Sequence, residues 1–239
     1  MEAIDVQNQV MGYDRAATMF SPDGHLLQVE YAEKAVRWGS ASIGMICKDG
    51  VVIVSDRRIR EELIMAESAN KITEIDEHIM STAAGILSDA RVLIEQAQLI
   101  AQQNRITYDT EINVESIIKE IANQKQKFTQ YGGVRPFGAS VMVAGISGKT
   151  PKLYVSDITG NYFSYKATAI GENDHKIKDL LREEYKTVKH VDEAIKIALG
   201  IFKKILDKEY NEERFDVAFI KTADKKLSRI TTEGLKKYE

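Results

Sequence analysis

Apolar residues in this chain fall into two alternating kinds of block: short β-rich runs bounded by turn residues, and longer stretches where they recur every three or four positions. Ser42 to Lys48 and Val51 to Asp56 are runs of the first kind, and the Asp49-Gly50 pair between them predicts a hairpin. Lys71 to Ile75 and Ile79 to Ala84 extend this strand group. The period then turns helical, with Ile86, Ala90, Leu93, Ala97 and Ile100 on one stripe. Val114, Ile117, Ile118, Ile121 and Phe128 form the next, after Asn113 as a helix cap. A second strand group covers Ala139 to Ile146, Leu153 to Asp157 and Tyr162 to Lys166, separated by Ser147-Gly148 and Thr159-Gly160 turns. Two more helices follow, one lined by Ile177, Leu180, Leu181 and Tyr185. The other is lined by Val191, Ala194, Ile195, Ala198, Phe202 and Ile205. Phe215 to Lys221 is a late strand ahead of a basic tail.

Upstream, Ser21-Pro22-Asp23-Gly24 has turn chemistry, and a helix is predicted from His25 to Val36. Its apolar residues form two stripes, Leu26, Val29, Ala32 and Val36, and Leu27, Tyr31 and Ala35. That is more than one buried face requires, so the helix is expected to pack on two sides, with a neighbouring subunit on one of them. Residues 1–12 offer no core face and read as a terminal arm, and residues 13–239 as one domain without a linker. Strands, two helices, strands, two helices, strand is an α+β pattern in which two sheets stack with helices outside.

Composition narrows the function classes. The 239 residues are 44% hydrophobic and 29% charged, with a net charge of only -3 and no basic cluster, so neither a nucleic-acid partner nor a membrane surface is expected. No run approaches the about 18 apolar residues of a membrane helix, and the first residues lack the apolar core of a secretory signal. The single cysteine, Cys47, lies in an apolar run and reads as a small buried side chain, which suits a reducing cytoplasm. His25, His78, His175 and His190 show no close metal-ligand spacing, so no metal is expected. Gly148-Lys149-Thr150 imitates the end of a phosphate-binding loop, but Val143 stands where its first glycine belongs and a strand pattern follows, so no nucleotide cofactor is expected.

The run from Tyr13 to Gly39, YDRAATMFSPDGHLLQVEYAEKAVRWG, resembles the amino-terminal region of proteasome α subunits, most closely the archaeal type. Further matches follow in order: Asp49-Gly50-Val51-Val52, Asp56-Arg57-Arg58, Asp89-Ala90-Arg91, Tyr131 to Gly138 and Lys166 to Gly171. The resemblance implies a four-layer αββα sandwich of the N-terminal nucleophile hydrolase fold. It also implies seven-membered α rings that cap catalytic β rings, in the cytoplasm.

Residue roles are implied in the same way. In the β subunits a terminal threonine is nucleophile and its own α-amine is the base, exposed when a propeptide is cut. Here Ser40 is similar to that threonine, but its nitrogen is tied to Gly39, so no catalytic residue is expected. The alternative is an N-terminal nucleophile amidohydrolase using Ser40 after cleavage of Gly39-Ser40, with Asp56 and Lys71 as its polar partners. On the α-subunit reading, Lys71 and Gly85 line the pocket that receives the carboxyl terminus of regulatory ATPases, although Ala69-Asn70 stands where the family has Ile-Glu. Tyr13, Asp14, Pro22 and Tyr31 resemble the cluster that holds the amino-terminal arms open around the axial pore through which protein substrates pass. His25 takes the place of the family's usual arginine.

Overall fold

The computed structural model describes residues 10–59, 61, 63–187 and 190–238. Among these residues ten strands form two five-stranded antiparallel sheets. In chain order they are β1 (Ser42–Ile46), β2 (Gly50–Asp56), β3 (Thr73–Asp76), β4 (Ile79–Gly85), β5 (Ala139–Ser147), β6 (Thr150–Ser156), β7 (Tyr162–Ser164), β8 (Ala167–Ile170), β9 (Phe215–Lys221) and β10 (Leu227–Ile230). The first sheet has the order β10-β9-β2-β1-β8 and the second β3-β4-β5-β6-β7. The helices are α1 (Leu27–Trp38), α2 (Leu87–Tyr108), α3 (Val114–Gln130), α4 (Asp174–Glu184), α5 (Val191–Leu206) and the short α6 (Thr232–Leu235).

Central strands read as unbroken apolar runs because both of their faces are covered. On β2, Val52 and Val54 join the cluster beneath α4 and α5, while Val51 and Ile53 join the cluster between the sheets. On β5, Val141 and Val143 face α2 and α3, while Met142 and Ala144 meet the first sheet. A strand with one solvated face would alternate apolar with polar residues. Three apolar clusters separated by two sheets make four layers, helix-sheet-sheet-helix, in agreement with the α+β sandwich expected from sequence.

Several boundaries move for physical reasons. Helix α1 starts at Leu27 rather than His25, because the His25 amide and carbonyl both close the turn onto Ser21. Strand β3 starts at Thr73 rather than Lys71, because the amides of Lys71 and Ile72 donate to the carboxylate of Asp216, at 2.9 and 2.8 Å. Ile86 lies at the N-terminal cap of α2, 38% exposed, and is not part of its buried stripe. The expected strand Tyr162 to Lys166 is shorter: β7 ends at Ser164 in one sheet, and the chain then crosses to a strand not expected from sequence, β8, which pairs with β1 in the other. The basic tail contains β10, which pairs with β9, and α6, whose Leu235 joins the same apolar cluster as Val217.

Other local expectations hold. Asn113 caps α3 by accepting from the Glu115 amide at 2.9 Å. Gly148 turns the chain between β5 and β6, and Thr150 opens a strand rather than a helix, so the phosphate-loop geometry does not form. Cys47 is buried, and burial aided by Asp49 and Glu193 pushes its thiol up to about 12. Such a thiol is inert.

Candidate functional site

The segment Gly39-Ser40-Ala41 joins α1 to β1 and is held at Gly39 and Ala41 by backbone. The Gly39 amide closes α1 onto Val36 at 3.0 Å, and the Gly39 carbonyl accepts from the Glu172 amide at 2.8 Å. The Ala41 carbonyl accepts from the Asp56 amide at 2.9 Å. A Cβ on Gly39 would lie 2.1 Å from the Gly85 nitrogen, so these two glycines are in backbone contact. Gly85 has φ +111, and a Cβ there would lie 2.2 Å from the Gly138 carbonyl oxygen. The chain's own packing thus requires glycine at position 85.

Lys71 reaches into this segment. Its ammonium donates to Ser40 O at 2.8 Å, Ser40 Oγ at 2.9 Å and Ser42 Oγ at 3.4 Å. Ser42 Oγ continues to Thr82 Oγ1 at 3.3 Å, which also meets Ser55 Oγ at 3.0 Å. Lys71 is 8% exposed. Burial lowers its ammonium to about 8 against the opposing pull of the Asp56 and Asp216 carboxylates, and Arg58 lowers it further. Asp216 anchors the Lys71 backbone and pairs with Arg229 at 2.8 Å. Asp56 is engaged by Arg214 through two hydrogen bonds, at 2.7 and 2.9 Å, and accepts from the Arg58 amide at 2.9 Å. Arg58 in turn pairs with Glu172.

Sequence reasoning places Lys71 and Gly85 in one site, and the structure puts them on either side of Gly39-Ser40. It misses Asp216 and Arg229, the residues that fix Lys71. Neither lies near Lys71 in sequence: Asp216 stands on β9 and Arg229 on β10. Asp89 stands out in the sequence only as part of a motif. It binds Arg135 through two hydrogen bonds, at 2.6 and 2.7 Å, and takes the Gly138 amide at 2.9 Å, which ties the 131–138 loop to the start of α2. The Arg135 hydrogen bond holds the Asp89 carboxyl below its ordinary value.

The four residues matched to the pore cluster lie on the segment leading into α1 and on α1 itself. Tyr13 and Asp14 form a single 3-10 turn, Tyr13–Arg15, and the Asp14 carbonyl accepts from the Gln28 side chain of α1. Asp14 Oδ1 is buried with no hydrogen-bond partner among the described residues. Pro22 is exposed in the turn, and Tyr31 is half-buried midway along α1 with the Lys34 ammonium 5.1 Å from its ring centre. His25 faces Glu30 at 2.5 Å, an ion pair only while the imidazole is protonated. Residues 1–9 of the expected arm lie outside the described residues. Among the described residues, no group of three or more acidic, histidine or cysteine side chains converges to hold a metal, and no helix is long and apolar enough to cross a membrane.

Two stacked antiparallel sheets between helical layers, with a hydroxyl residue ahead of the first strand and a lysine upon it, define the architecture of N-terminal nucleophile hydrolases. The family model for proteasome subunits matches residues 36–220, and the N-terminal signature of A-type proteasome subunits matches residues 13–35. The chain belongs to the proteasome subunit family and, within it, to the non-catalytic α type of the core particle. It is 43% identical over 228 residues to the proteasome alpha subunit of Archaeoglobus fulgidus, covering 95% of this chain and 92% of the relative. It is 44% identical to the corresponding protein of Pyrococcus abyssi over 227 residues, covering 95% and 86%. Identity to that of Methanocaldococcus jannaschii is also 44%, over 225 residues, covering 94% and 86%. The reading of Ser40 as a nucleophile gives way with this match, since the α type is the non-catalytic subunit of the core particle.

Proposed function

We propose that this chain builds a seven-membered α ring that seats the β rings, gates entry of protein substrates into their chamber and docks regulatory ATPases by their carboxyl termini, in the cytoplasm. The observation that carries the reading is the N-terminal signature of A-type proteasome subunits, which covers the segment and most of the helix leading into Ser40. In this arrangement the segment before Ser40 is a structural element, and residues 1–12 lie ahead of it as the gate.

Two local features support the finer roles. Asp14 Oδ1, buried without a partner among the described residues, is an acceptor that a donor from a neighbouring subunit would satisfy at the pore. The Lys71 ammonium is held by neutral serine oxygens and a carbonyl, and a terminal carboxylate competes well with these. A carboxylate adds the attraction of opposite charges, which neutral hydroxyl and carbonyl acceptors lack. Docking therefore takes Lys71 from Ser40 Oγ, beside the Gly39-Gly85 backbone contact.

The test is removal of residues 1–12. Particles assembled with a β partner are expected to degrade an unfolded protein faster after truncation, with small-peptide cleavage changed less. Equal rates for truncated and full-length particles would refute the gate.

A further inference from the structure

Lys125 has no part in the site above and is the largest fully buried polar side chain in the molecule's described residues. It stands on α3 and sends its Nζ beneath the turn between β6 and β7, to Ser156 O at 3.1 Å, Ser156 Oγ at 3.3 Å and Asp157 O at 3.1 Å. Ser140 Oγ also donates to Ser156 O, at 3.1 Å. The turn is closed by Asp157, whose carboxylate accepts from the amides of Thr159 and Asn161 at 2.9 and 3.0 Å. Gly160, at φ +91, presses it onto α3: a Cβ there would lie 2.5 Å from the Ala122 carbonyl oxygen. The turn is thus a lid over a buried amine. The lid also walls a cleft of about 270 Å³ that runs under α1, lined by Ser140, Asp157, Ile158 and Tyr165.

We propose that Lys125 makes this turn a proton-operated lid, held closed over the neutral amine and released when the amine takes up a proton. A buried ammonium is penalised by lost hydration, whereas the same group reached by water through an open turn is not. Burial lowers Lys125 to about 7, with only the Asp157 carboxylate pulling it back. That carboxylate is already engaged by Thr159 and Asn161. The other charged groups around the cleft are Glu33 and Arg37 of α1 and Asp174, His175 and Lys178 of α4, with the Tyr165 phenol on the sheet side. Lys178 pairs with Asp174 at 2.6 Å. The sign follows from linkage. The open lid binds the proton more tightly than the closed one, so closure gains as pH rises from about 7 toward the ordinary lysine value and is constant below.

The test is hydrogen exchange of the assembled full-length protein, read by mass spectrometry on peptides spanning 157–161 and corrected for the intrinsic pH dependence of exchange. Protection in the wild type is expected to be flat below about pH 7 and to rise toward tenfold per pH unit above it. Lys125→Met and Lys125→Gln should each show protection that does not vary with pH, and either variant suffices if the other fails to fold. Gly160→Ala should lower protection at all pH values while keeping the wild-type slope, because it disturbs the lid and leaves the amine in place. A wild type without a slope, or neutral variants with the same slope as the wild type, would overturn the proposal.

Discussion

The ammonium of Lys71 lies 2.9 Å from the hydroxyl of Ser40, and the same ammonium takes the Ser40 carbonyl at 2.8 Å. Both contacts bind the Lys71 side chain to the Gly39-Ser40-Ala41 segment. Hydroxyl and lysine are both present, but the amine base is absent. The isolated chain is therefore expected to hydrolyse no fluorogenic peptide, and Ser40→Ala to leave peptide cleavage by a complete particle unchanged. Turnover by the isolated chain that disappears in Ser40→Ala would contradict this.

Lys71→Ala should weaken binding of carboxyl-terminal docking peptides by about 10- to 150-fold per tail, the equivalent of one charged hydrogen bond of roughly 1.5 to 3 kcal/mol. Ring assembly should persist. A ring that engages several tails together should lose more, because avidity multiplies the single-site loss. Lys71→Arg separates charge from shape, since a planar guanidinium does not reproduce a compact ammonium. Surface-immobilised binding reads both variants, and wild-type affinity in Lys71→Ala would place the docking contact elsewhere.

The same lysine gives two pH dependences of opposite sign. Its folded value, lowered to about 8, lies below its ordinary 10.5. The penalty of the buried charge is complete below pH 8 and fades toward 10.5, so this group makes stability rise with pH across that window. Docking needs the charged form, so tail affinity should fall as pH rises through about 8. Lys71→Met should flatten its share of the stability slope, leaving that of Lys125. Chemical denaturation and tail binding, measured from about pH 7 to 10, check both directions.

Asp216→Ala should destabilise the fold by at least about 2 kcal/mol, because the buried amides of Lys71 and Ile72 lose their acceptor at roughly 1 to 3 kcal/mol each. Asp216→Asn keeps an acceptor and loses mainly the charge facing Arg229, so it should cost less. Urea denaturation separates the two, and equal losses would shift the weight from the amides to the ion pair.

Most of the layering was legible because strands covered on both faces leave unbroken apolar runs, as at Val51 to Val54, and amphipathic helices leave stripes, as at Val114 to Ile121. Strand β8 was not legible as a strand. Ala167 to Ile170 is short, contains small residues, and takes its position from β1, more than a hundred residues earlier. Lys125 was hidden for a similar reason. A lysine amid Gln124 and Gln126 reads as a solvated helix position, and only the arrival of the β6–β7 turn buries it. The proposed docking pair, Lys71 and Gly85, came from family resemblance, whereas the Asp216–Arg229 support depends on β9 and β10 lying beside each other.

The most direct measurement is native mass spectrometry of the full-length chain, by itself and co-expressed with a proteasome β partner. Rings of seven copies of the 26.9 kDa chain, each with residues 39 and 40 still joined, and larger particles when β is present, are the expected result. A monomer that forms no complex with β, or a chain cut before Ser40, would contradict the assignment as a non-catalytic ring subunit.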